Sequence, residues 1–82
     1  AERRAGLSPL KRAVEVAERS VTDLQRKITA AEAALADQAL YRGEPAKAAD
    51  LARARGALLD RLAAAEEAWV TASEAYETAT AR

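Results

Sequence analysis

The chain contains no cysteine and no histidine. Without thiols there are no disulfides and no thiolate nucleophile, and without imidazole the commonest general base and metal ligand is missing. Its three glycines are scattered and build no phosphate-cradling loop, and the serines and threonines have no histidine to activate them. No catalytic residue, metal or cofactor is therefore expected, and the chain does not read as an enzyme. No run approaches the roughly 18 apolar residues of a membrane span, and no charged-then-apolar secretory start is present, so the sequence reads as cytoplasmic with no membrane partner. Neither sign of charge dominates: 13 basic residues balance 13 acidic ones. Any nucleic-acid contact must then rest on where charges sit, not on their sum.

What remains is rich in alanine. The 82 residues allow one small domain, and 24 of them are alanine, leaving nine Leu, four Val, one Ile, Trp69 and two Tyr to bury most of the area. The core must be thin, and such a composition with helical periodicity marks long helices. From Leu10, alternating steps of four and three reach Val14, Ala17, Val21, Leu24, Ile28, Ala31 and Leu35. A second walk runs through Ala48, Leu51, Arg55, Leu58, Leu62, Ala65, Trp69, Ala72, Tyr76 and Ala79, interrupted only by Arg55.

The two walks pair when the chain doubles back, because their residue numbers add to 86. Leu10 then meets Tyr76, Ala17 meets Trp69, Leu24 meets Leu62, Ile28 meets Leu58 and Leu35 meets Leu51. Trp69 falls opposite an alanine, large against small, and Arg55 lies over Ala31 with its head reaching water. The sequence predicts an all-α fold, an antiparallel two-helix coiled-coil hairpin. Residues 1–8 are expected to form a flexible linker, with Ser8 capping helix one and Pro9 at its first position. Helix one should span about 9–40, the turn about 41–44 with Gly43 in the left-handed conformation, and helix two about 45–80 from Pro45. Tyr41 is expected to pack over Leu40 and Leu51, with stacking on a base as the alternative. Thr71, Thr78 and Thr80 lower helix propensity near the end, so the last turn is expected to fray.

Charge placement suggests two functions. Arg12, Arg19 and Arg26 recur every seven residues on the outward ridge of helix one, joined by Lys27, while Asp60, Glu67 and Glu74 repeat on helix two. Near the corner Arg42, Lys47, Arg53 and Arg55 outnumber Glu44 and Asp50. Lys27 and Arg61 share one flank of the seam, a candidate anion contact. These residues would let the hairpin grip a nucleic-acid backbone, DNA or RNA. Alternatively Glu15 pairs with Arg19 and Asp23 with Lys27 as ordinary intrahelical ion pairs, and the chain is a protein-interaction or spacer hairpin. In that case the small residues flanking the seam, Ala13, Ser20 and Ala34 with Ala54, Ala68 and Ala75, would allow a homodimer.

The stretch "ALADQALYRGEPAKAADL" followed by "LLDRLAAAEEAWVTASEAYE" resembles the C-terminal coiled-coil extension of ABC-F ATPases, the group that includes Uup-like and YheS-like proteins. The resemblance covers residues 9 to 78 and is carried chiefly by Leu35, Asp37, Leu40, Tyr41, Pro45, Leu51, Leu62, Glu66 and Trp69. It implies an arm attached to two ATPase cassettes of a parent chain, acting on ribosomes and contacting ribosomal RNA or, in the Uup-like group, DNA. No GxxxxGK loop or LSGGQ-type signature occurs here, so the arm itself would carry no ATPase activity.

Overall fold

The computed structural model describes the backbone of residues 2–81 and the side chains of residues 6–81. The chain forms three helices, α1 (Glu2–Leu35), α2 (Gln38–Gly43) and α3 (Pro45–Thr80). Glu32 on α1 bonds Arg55 on α3, and Glu18 bonds Trp69. Numbers fall along one helix as they rise along the other, so α1 and α3 are antiparallel. The result is a rod of 62 × 15 × 14 Å.

The two-helix hairpin expected from the sequence is therefore corrected to three helices, and the reason is local. The helix formers Ala36, Gln38, Ala39 and Leu40 follow Leu35, but Asp37 leaves the helical region (φ −78°, ψ 107°) and its carboxylate accepts the Ala39 N–H at 3.0 Å, capping a new helix. A short acidic side chain that bonds backbone two residues on competes with helix continuation at its own position. The chain thus breaks at residues 36–37, inside the expected first helix, and residues 41–43 of the expected turn belong to α2. It breaks again at Glu44 (φ −139°, ψ 69°), because the ring of Pro45 disfavours the α region for the residue before it. Glu44 offers no side-chain cap, but its carbonyl accepts from both Lys47 and Ala48 at 3.1 Å.

Gly43 does not take the left-handed conformation; no described residue has positive φ. α2 closes instead through the Glu44 N–H, donated to the Leu40 carbonyl at 2.8 Å. The Ser8–Pro9 start is also overturned: α1 already runs from Glu2, with Pro9 inside it. Pro9 loses its own N–H donor and its ring crowds the carbonyl one turn back, a cost the helix carries, while the preceding Glu-Arg-Arg-Ala stretch favours helix by propensity. Of the expected linker 1–8, Ala1 lies outside the described residues and residues 2–8 are helical. At the other end α3 extends to Thr80, whose hydroxyl donates to the carbonyls of Tyr76 and Glu77.

The core is thin. Among the described residues its buried members are Ala17, Leu24, Ile28 and Ala31 on α1 and Ala48 on α3. Leu10, Val14, Val21 and Leu35 are half-buried, as are Leu51, Leu58, Leu62 and Tyr76 on the facing side. These are spaced as one stripe per helix, the geometry that lets side chains three and four apart share a face. Ala48, at 4 % exposure, is the most enclosed position and sits where α3 starts beside the corner. α2 lies against both long helices there, with Leu40 as its half-buried residue.

Candidate functional site

Trp69 occupies a seam position yet remains 39 % exposed. Its facing neighbourhood is alanine, and an indole is too large for a gap that small residues set. The ring lies at the edge of the seam instead, where Nε1–H donates to the Glu18 carboxylate at 3.3 Å. With Glu18, Val21, Thr22, Glu66 and Val70 it lines an open groove of about 510 Å³. Val70 beside it is 45 % exposed. The groove combines an aromatic face, two valines and two carboxylates, with no cation among its lining residues.

On the other side of the seam by helical spacing, a second groove of about 390 Å³ is lined by Ala13, Val16, Ala17, Ser20, Ala65, Ala68 and Ala72. Val16 projects there with 54 % of its surface exposed. This is part of the small-residue flank read from the sequence. Its lining has no charged group, whereas the Trp69 groove has two.

The ridge residues Arg12, Arg19, Arg26 and Lys27 are all exposed on α1. Among the described residues none of them forms an ion pair; the pairs that form are Lys47 with Glu44, Arg53 with Asp50, and Arg55 with Glu32. The intrahelical Glu15–Arg19 and Asp23–Lys27 pairs expected from spacing are thus not made. The ridge is nonetheless not a uniformly basic surface. A shallow groove of about 410 Å³ along it is lined by Glu15, Glu18 and Asp23 as well as Arg19 and Arg26. Three carboxylates among two guanidinium groups leave no continuous positive track for a polyanion.

At the corner the basic residues separate. Among the described residues Arg42, exposed on α2, has no acidic ion-pair partner, whereas Lys47 and Arg53 on α3 pair with the carboxylates three residues before them. Tyr41, expected over Leu40 and Leu51, has 51 % of its surface open. Arg61 and Lys27 are both exposed and neither meets a carboxylate within ion-pair reach among the described residues.

Arg55 interrupts the seam as expected, but its head does not simply reach water. Nε and Nη2 both donate to one Glu32 carboxylate oxygen, at 3.1 and 2.9 Å. Glu32 and Glu18 lie outside the apolar walks because neither is apolar. The signal was available: with Arg55 and Trp69 their numbers add to 87, one step off the seam, the flank where charged residues of paired helices meet.

Among the described residues no group of three His, Cys, Asp or Glu side chains is placed to hold a metal ion, and no helix is long and apolar enough to cross a membrane. Comparison with protein-family models, curated proteins and solved structures gave no match to this chain.

Proposed function

We propose that this chain is a non-catalytic helical arm that docks a protein partner on the α1–α3 pair at the groove beside Trp69. The observation that carries this reading is Trp69. The largest side chain of a molecule with very little core leaves 39 % of its surface uncovered, beside an exposed Val70, in an open groove. In a chain short of apolar area, an aromatic and an aliphatic side chain left open together mark a contact surface, since burying them against a partner recovers area that the fold itself leaves unused. The resemblance to the C-terminal extension of ABC-F ATPases supports attachment to ATPase cassettes of a parent chain and a cytoplasmic setting.

A second reading, contact with DNA or ribosomal RNA, is favoured by one specific observation: Arg12, Arg19, Arg26 and Lys27 stand exposed with no ion-pair partner among the described residues. Three guanidinium groups seven residues apart are spaced by roughly 10 Å and would neutralise separate phosphates. Titration of the chain with duplex DNA and structured RNA at about 50 and about 200 mM salt separates the two. The protein-docking reading expects little binding at the higher salt and the same isotherm for an Arg12→Gln/Arg19→Gln/Arg26→Gln variant. Saturable, salt-sensitive binding that the triple substitution abolishes would transfer the conclusion to nucleic acid.

A further inference from the structure

We infer that the Trp69 groove selects a basic amphipathic segment of its protein partner, one apolar side chain lying against Trp69 and Val70 while flanking lysine or arginine side chains reach Glu18 and Glu66. The inference rests on the protein-docking reading and adds the chemistry of the partner.

Three observations carry it. The groove is lined by Val21, Trp69 and Val70 with the carboxylates of Glu18 and Glu66 on the same surface, and no lysine or arginine contributes to the lining. The stretch of α3 around it has the same sign: residues 62–81 contain Glu66, Glu67, Glu74 and Glu77 and not one basic residue. The indole is also held in place, since its N–H is donated to Glu18 at 3.3 Å. A cation that approaches the Glu18 carboxylate therefore arrives beside a fixed apolar surface, where carboxylate attraction and packing of its aliphatic stem against the groove act together.

An apolar segment without charge would leave two carboxylates partly desolvated and unpaired, and an acidic segment would add repulsion. Helix-in-groove docking meets both needs, because residues three and four apart on one face supply an apolar anchor and its flanking cations. The Ala-lined groove on the other flank has no carboxylate in its lining and would not discriminate in this way.

Trp69 is the sole tryptophan, so its emission reports on the groove. The experiment uses the 82-residue chain and two dye-labelled, tryptophan-free helical peptides with leucine at i, i+3, i+4 spacing, one with lysine at every remaining position and one with glutamate. The lysine peptide is expected to bind saturably and shift the Trp69 emission, with the glutamate peptide at least about tenfold weaker. Glu18→Gln/Glu66→Gln, which keeps an oxygen to accept the indole N–H, should weaken the lysine peptide by roughly three- to tenfold. Glu67→Gln/Glu74→Gln, which removes the same charge from the outward ridge, should leave it within about twofold. Circular dichroism of each variant checks that the helices are retained.

Equal loss in the two double variants would mean diffuse attraction to an acidic helix and would overturn the inference. Equal binding of both peptides would overturn the charge selection while leaving protein docking standing. Binding of neither would overturn both, as would self-association in sedimentation that a Val70→Glu substitution abolishes, because the groove would then belong to a second copy.

Discussion

Leu24→Ala is expected to cost roughly 2–5 kcal/mol, comparable to the roughly 3–5 kcal/mol that a single core of this size supplies. Among the described residues Leu24 is one of the two large side chains that are buried, the other being Ile28. Both lie mid-way along α1, so no neighbouring apolar layer collapses easily into the space left by truncation. By the seam register Leu24 lies opposite Leu62 and Ile28 opposite Leu58, so truncation removes contacts between large side chains, and a thin core has no second layer to compensate. Urea denaturation followed by helical circular dichroism should show the variant largely unfolded without denaturant, and Ile28→Ala similarly weakened. Leu59→Ala is the control: Leu59 is exposed and off the seam, and its truncation is expected to fall within about 0.5–1 kcal/mol. Comparable losses at Leu24 and Leu59 would mean that burial is not organised around the α1–α3 seam.

The second large effect lies at the corner. Ala48→Leu adds volume at the most enclosed position of the chain and is expected to destabilise by roughly 1–3 kcal/mol, because α2 and the start of α3 cannot both keep their places around a larger side chain. The adjacent Ala49 is exposed, so Ala49→Leu is expected within about 0.5 kcal/mol of the parent. Amide hydrogen exchange locates the damage: in Ala48→Leu, the Leu40-to-Glu44 bond that closes α2 should lose protection before the amides around Leu24. If Ala48→Leu were as benign as Ala49→Leu, the packing of three helices at the corner would be refuted.

The seam was open to reading because a period of three and four along the chain is a count of residue types, and burying that stripe leaves the helices little choice. Leu24, Ile28 and Ala17 are buried at positions the walk reaches. The corner was harder, since the helix formers Ala36, Gln38, Ala39 and Leu40 speak for one helix while a single capping aspartate speaks for two. Asp37 prevailed because its side-chain bond satisfies a backbone donor at the start of a new helix, a gain that hydrophobic periodicity does not register. Pro9 misled in the opposite direction: a start signal by residue type, it is carried inside a helix by the strong formers before it.

The candidate site was only half visible. Trp69 stands out in any reading of the sequence, but pairing it with Ala17 suggested an enclosed ring, whereas close approach of alanine-lined helices pushes the indole to the edge. Glu18 and Glu66 acquire meaning only once that edge is known. The arginines of the ridge were correctly seen as a heptad series, yet their neighbourhood depends on Glu15 and Asp23, which share the same groove.

All of this depends on α3 returning along α1 within one molecule. The absence of cysteine permits a direct test, with spin labels placed at Ser20→Cys and Ala68→Cys, two exposed positions lining one groove. Measured in a large excess of unlabelled chain, the label separation is expected to fall below about 25 Å, whereas a continuous helical rod would put the two residues roughly 70 Å apart. A long distance, or a short one that vanishes on dilution with unlabelled chain, would contradict the account.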